Sequence, residues 1–297
     1  MARPIERIAV LGAGTMGRGI AHVAALAGYE TQLYDVDPAA LARAEETIHR
    51  NLEKGVALGK VDAVAAAGVH DRLALDTDLG AAVADADLVI EAAPESMAIK
   101  VELFESVAMN ARHDSLFATN TSALSVTEMA AASGRPERFA GMHFFNPVHV
   151  MKLLELVRGL ETSSETIETL REVGARMGKE VVVVADAPGF ATSRINALIG
   201  NEAFRMLEQG VASAEDIDKA IKLGLNHPMG PFEMADLVGL DVRLSILEHL
   251  HATLGETFRP SNLMRRYVQA GRFGRKVGRG VYEYDAEGRR LPDEETP

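Results

Sequence analysis

The chain has 297 residues, 47% of them hydrophobic and 25% charged, and 43 acidic against 31 basic side chains give a formal net charge of −12. That length allows a large core and two domains, and the acidic balance argues against nucleic acid or an anionic membrane as the main partner. There is no cysteine, so disulfides, thiol nucleophiles and thiolate metal sites are excluded, and no metal site is expected.

The start, Met1-Ala2-Arg3-Pro4-Ile5-Glu6-Arg7, lacks a signal-peptide pattern, and no apolar run is long enough to span a bilayer. A cytoplasmic location is the expectation. Residues 5–11 read as a buried strand. Gly12-Ala13-Gly14-Thr15-Met16-Gly17 follows and opens a helix expected over 15–27, with Gly28 at its end. A second strand over 31–34 ends at Asp35. A bare glycine turn with a solvated aspartate is common. Here strand, turn, helix, strand and acid come in the order that a dinucleotide fingerprint requires. Gly12 permits the tight turn, Gly14 lets the backbone approach a pyrophosphate, and Gly17 lets helix and strand pack closely. The helix start at Thr15 and Met16 offers N–H groups and a favourable dipole to the anion. Asp35 is placed to accept from the adenosine ribose and to repel a 2′-phosphate. Val36 and Asp37 follow it rather than an arginine, so NAD is expected over NADP.

Pro38 suits the first turn of a long helix reaching Lys54, and 55–71 reads as a loop with a short helix. An alanine-rich helix precedes a strand over 88–91. Val101, Phe104, Val107 and Ala108 stand at helical spacing within 99–111. Further short apolar runs lie at 116–119, 139–143, 153–157 and 181–184. The helix between the last two is expected to start with a capping box of Thr162 and Glu165. It presents Ile167, Leu170, Val173 and Met177 on one face, and Gly178 ends it. Alternating strands and helices predict an α/β fold, a Rossmann-type and mostly parallel sheet with helices on both faces.

The pattern changes at Asp186-Ala187-Pro188-Gly189. Helices are expected over 194–208, 214–223, 240–254 and 262–270, with almost no strands. Ser213 caps the second of these, with Ile217, Ala220 and Ile221 inward. The expected domains are therefore 1–186, which binds NAD, and 187–297, an all-α domain for substrate and dimerisation. Residues 293–297 read as a frayed tail.

Oxidation of an alcohol with NAD needs a base, and histidine suits it because its pKa of about 6.5 lies near working pH. Of nine histidines, His49, His70, His113, His249 and His251 lie on expected helices or loops without a convergent motif. His22 is expected to pack, and His227, before Pro228, has a structural reading. His143 ends an apolar strand and precedes Phe144-Phe145-Asn146-Pro147. Spacing alone leaves it open between a base and a histidine satisfied by backbone.

Thr119-Asn120-Thr121-Ser122, Gly141-Met142-His143-Phe144-Phe145-Asn146-Pro147-Val148, Met151-Lys152-Leu153-Leu154-Glu155 and Pro188-Gly189-Phe190 resemble motifs of the 3-hydroxyacyl-CoA dehydrogenase family. So do His227-Pro228-Met229-Gly230-Pro231, Asp236-Leu237-Val238-Gly239-Leu240-Asp241 and Gly278-Arg279-Gly280-Val281-Tyr282. The resemblance spans nearly the whole chain in order. It implies that His143 is the catalytic base, Glu155 the carboxylate that orients it, and Ser122 the hydroxyl that binds the substrate oxygen. It places Asn146 near the nicotinamide, and Glu95, Lys100 and Asn120 at the cofactor site. One position departs. Ser193 stands where the family has an asparagine that contacts substrate, and Asn196, three residues on, is a possible substitute. Lys54 and Lys60 are what remains of a more basic patch, with Ala57 and Leu58 between them. Few phosphate contacts, and otherwise solvated lysines, are expected.

The implied activity is NAD-dependent oxidation of a short-chain (S)-3-hydroxyacyl-CoA, by a homodimer. A related dehydrogenase of sugar acids such as L-gulonate shares the dinucleotide domain and the histidine strand. A non-catalytic NAD-binding protein is the remaining alternative. Phe144-Phe145 and Met151-Lys152-Leu153 favour the acyl-CoA, and Ser122, His143 and Glu155 together favour catalysis.

Overall fold

Strand β1 (Arg7–Leu11) leads through the glycine turn into α1 (Thr15–Leu26) and returns as β2 (Glu30–Tyr34). A computed structural model describes residues 4–292 of the chain. After β2 come α2 (Pro38–Ala57), α3 (Ala63–Ala67), α4 (Val69–Arg72) and β3 (Leu73–Asp76). Then follow α5 (Leu79–Ala84), β4 (Leu88–Glu91), α6 (Met97–Asn110), β5 (Leu116–Thr119) and α7 (Val126–Ala132). β6 (Phe139–Phe144), β7 (Leu153–Arg158), α8 (Ser164–Arg176) and β8 (Glu180–Ala185) complete the first of two compact units, which divide after Ala187.

The eight strands of this unit form one sheet in the order β3-β2-β1-β4-β5-β6-β7-β8. The first six positions carry the doubly wound order of dinucleotide-binding sheets. β6 and β7 pair antiparallel, and every other pair is parallel. A strand shows alternate residues to opposite faces. Ile8, Val10, Ile90, Met142, Leu154 and Leu156 accordingly enter one core with Ile20, Ala24 and Ile48 of the helices. Phe117 and Phe139 meet Phe104 of α6, the Phe104 and Phe139 rings standing edge-on at 4.6 Å between centroids.

The mostly parallel sheet with helices on both faces is as the sequence implies, with local corrections. The cap of α8 is Ser163, whose hydroxyl accepts from Thr166 N. Thr162 is not the cap. Its hydroxyl donates to Phe139 O at 2.7 Å and accepts from Gly159 N at 2.9 Å, tying the end of β7 to the start of β6. Residues 55–71 hold the end of α2 and two short helices, and β3 is a strand that the apolar pattern did not reveal.

The second unit is helical: α9 (Thr192–Glu208), α10 (Ala214–Gly224), α11 (Pro231–Val238), α12 (Leu240–Leu254) and α13 (Asn262–Gln269). Only isolated bridges occur there among the described residues. Phe204, Phe232, Leu247, Leu250 and Tyr282 form its core. On α10, Ile217 is buried as expected. Ala220 is exposed, and Asp218 is the buried neighbour instead. Asp218 accepts from Phe232 N, Glu233 N and the Tyr282 hydroxyl, and so caps α11. Asp236 accepts from Val281 N, Tyr282 N and the Tyr284 hydroxyl. A Cβ on Gly280 would lie 2.0 Å from Asp236 Oδ1. The glycine-rich ending is thus folded around a buried carboxylate. Burial raises the pKa of both aspartates above the usual range. The tail expected at 293–297 lies outside the described residues.

Candidate active site

The glycine turn has the geometry that its residues imply. Gly12 takes φ +103° and donates its N–H to Tyr34 O at 2.7 Å. A Cβ on Gly17 would stand 1.7 Å from Gly12 O, so α1 reaches this close to the turn only because position 17 has no side chain. Beyond Gly14 no atom lies within 4 Å of an added Cβ. That open space, with exposed Thr15 and a helix start that no side chain caps, fits a pyrophosphate held by backbone N–H groups. Asp35 binds the turn through Ala13 N, 2.7 Å from Oδ2, and its own loop through Asp37 N, 3.0 Å from Oδ1. Each oxygen keeps a further lone pair for a ribose hydroxyl. A cavity of about 310 Å³ between Leu11, Gly12, Asp35, Ala93, Pro94 and Ile99 adjoins it, a fit for an adenosine.

Glu91, Lys100 and Glu95 build the wall after β4. Glu91 is fully buried and accepts from Ala93 N at 2.6 Å, Thr119 Oγ1 at 2.6 Å and Lys100 Nζ at 2.5 Å. Lys100 is only 1% exposed and also reaches Ala93 O. It stands behind the loop and shapes it, rather than forming its surface. Glu95 accepts from Thr121 Oγ1 at 2.7 Å and Ser122 N at 2.9 Å, which fixes the backbone that presents Ser122. Asn120 Oδ1 accepts Phe144 N at 2.9 Å and locks the ends of β5 and β6 together.

His143 and Glu155 are direct cross-strand partners in the β6–β7 register. Their neighbours Met142, Leu154 and Leu156 turn into the core, so both side chains share the opposite face. Glu155 Oε2 lies 2.8 Å from His143 Nδ1, and the two residues are 0% and 5% exposed. A buried carboxylate bound to one ring nitrogen fixes the tautomer and the orientation of the ring. Phe145 packs beside the imidazole at 4.5 Å between ring centroids. Asn146 is exposed beyond it, before a cis peptide bond to Pro147.

The profile of the 3-hydroxyacyl-CoA dehydrogenase NAD-binding domain matches residues 7–187, and that of the family's C-terminal domain matches 189–284. The chain belongs to the 3-hydroxyacyl-CoA dehydrogenase family. It is 45% identical to a probable 3-hydroxybutyryl-CoA dehydrogenase of Bacillus subtilis, across 95% of this chain and 98% of that one. It is 44% identical to the 3-hydroxybutyryl-CoA dehydrogenase of Bradyrhizobium diazoefficiens, across 96% and 97%. Its fold matches the crystal structure of (S)-3-hydroxybutyryl-CoA dehydrogenase from Ralstonia eutropha with a TM-score of 0.91, at 40% identity over 95% of this chain and 99% of that one. The sugar-acid alternative is not favoured by these likenesses.

The first unit holds a second cavity, of about 680 Å³. Lys54 and Lys60, read from the sequence as solvated surface, both line it, together with Lys152, Arg176 and Lys179. No carboxylate lines it. The basic patch is therefore rebuilt from three separate segments. Three of those cations carry no signal at helical spacing, which is why the sequence conceals it. Arg176 anchors the rim, with Nε donating to Ala27 O at 3.0 Å and its guanidinium 4.1 Å from the Tyr29 ring centroid. Buried Lys179 donates to Val148 O and Met151 O, which shapes the turn after His143. Ser193 and Asn196 lie on the first turns of α9, in the second unit, and both are half-buried.

Proposed function

We propose that the protein oxidises the 3-hydroxyl of a short-chain (S)-3-hydroxyacyl-CoA, such as 3-hydroxybutyryl-CoA, to the 3-oxoacyl thioester. The observation that carries this reading is the His143–Glu155 pair, 2.8 Å apart at the carboxyl end of the sheet. With Nδ1 committed to Glu155, His143 takes the hydroxyl proton at Nε2, and Glu155 stabilises the imidazolium that forms. Ser122, held through Glu95, donates to the substrate oxygen. Asn146 borders the same site, and Ser193 of α9 serves the substrate in place of an amide, with Asn196 as support. NAD, when bound, supplies the hydride acceptor.

The cavity of the five cations suits the phosphates of the CoA arm. The turn after the His143 strand forms one of its walls, so one short segment joins handle and reacting group. In the second unit Leu223, Leu225, Leu237, Val238 and Val242 are 41–77% exposed, a surface suited to a two-fold homodimer. A cysteine-free chain without a helix long and apolar enough to cross a membrane among the described residues suits a cytoplasmic enzyme.

The test is NADH formation from 3-hydroxybutyryl-CoA, set beside L-gulonate. Turnover of the thioester alone is expected, abolished in His143→Ala with NAD binding retained. Normal turnover in that variant would overturn the mechanism, and preference for L-gulonate would overturn the substrate.

A further inference from the structure

The floor of the basic cavity carries two histidines that proton transfer does not use. His22 of α1 is 2% exposed, and neither Nδ1 nor Nε2 has a hydrogen-bond partner. A neutral imidazole carries one donor and one acceptor, and leaving both unmet in a buried site is destabilising. His149 lies over it, the rings parallel within 6° at 5.3 Å between centroids. That spacing is offset stacking, and both ring nitrogens of His22 are closed off from solvent beneath His149. Its other side is available, since His149 is exposed. Both residues line the cavity. Burial, then His149 and Lys179, lower the His22 pKa to about 4. Burial, Lys179 and Lys54 lower that of His149 as well. Two uncharged planar rings thus sit among five cations.

That combination matches a neutral planar base joined to phosphates. The handle of CoA is of this kind, an adenine whose ribose bears a 3′-phosphate on one side and a diphosphate on the other. Resting on the acyl-CoA reading above, we propose that the His22–His149 stack recognises the base of the CoA handle. Adenine lies on the open face of His149, His22 supports that ring from beneath, and the lysines take the phosphates.

The probe is 3′,5′-ADP, titrated by calorimetry into the full-length enzyme. Kinetics with acetoacetyl-CoA and acetoacetyl-pantetheine, which lacks the nucleotide, accompany it. His149→Ala is expected to weaken 3′,5′-ADP binding and to raise the KM for acetoacetyl-CoA about tenfold, the loss typical of a base–aromatic stack. The kcat, the KM for NADH and the KM for acetoacetyl-pantetheine should hold. His149→Phe should restore binding, and His22→Leu, an apolar filling of the same space, should weaken it several-fold. If His149→Ala and His22→Leu bind 3′,5′-ADP like the wild type while Lys54→Ala does not, the base-recognition proposal falls and the phosphate pocket stands. If wild-type enzyme binds no 3′,5′-ADP, or uses both thioesters equally well, the pocket reading itself falls and takes the proposal with it.

Discussion

At the scale of single residues, Glu155 shows why burial gives a carboxylate chemical meaning. Enclosed between core leucines, it has His143 Nδ1 at 2.8 Å. In Glu155→Gln the amide still bonds the ring but no longer balances its positive charge. The kcat for 3-hydroxybutyryl-CoA is expected to fall about 10²–10⁴-fold, with NAD affinity retained in a fluorescence titration. His22 gives a prediction in acid. Its pKa is 6.5 unfolded and about 4 in the fold, so between these values the unfolded chain binds the extra proton. The resulting stability is complete above pH 6.5 and is lost as pH falls toward 4, by about 1.4 kcal/mol per unit. Melting curves of the wild type should therefore drop more steeply between pH 6.5 and 4.5 than those of His22→Leu. The packing of His22 is legible from its place on α1, but its orphaned nitrogens are not, because they depend on which groups happen not to face them. His149 carries no sequence signal at all.

At the scale of elements, the glycine turn was the most readable part, since each glycine answers a separate steric demand. Gly17→Ala drives a Cβ into Gly12 O, whereas Gly14→Ala meets empty space. Gly17→Ala should lower the melting temperature and abolish NAD binding. Gly14→Ala should melt like the wild type and lose NAD affinity only. Short elements without periodicity were harder. β3 is a four-residue strand, Leu-Ala-Leu-Asp, indistinguishable by pattern from its helical surroundings. α11 occupies only eight residues between Gly230 and Gly239. At the start of α8 both Thr162 and Ser163 have the chemistry of a cap, and the β6 carbonyl that engages Thr162 decides between them. Ser163→Ala is expected to cost about 1 kcal/mol in urea unfolding, the usual loss for a helix cap.

At the scale of the whole molecule, the order of motifs made the α/β and all-α parts legible, and the acidic net charge concealed the basic cavity. Lys54, Lys152, Arg176 and Lys179 converge only once α2, the β6–β7 turn and α8 have folded. The proposed homodimer is tested by sedimentation. The wild type should run as a dimer and Val242→Asp, which places a charge on the exposed apolar surface, as a monomer. The β6–β7 hairpin has one more consequence. Its strands are clamped in register, with His143 opposite Glu155, and Lys179 grips the carbonyls of Val148 and Met151. The side chains at 149, 150 and 152 are exposed within that frame. If the proposed handle site is right, a library at these positions is expected to shift which thioester carriers are accepted, while the proton-transfer pair stays in place.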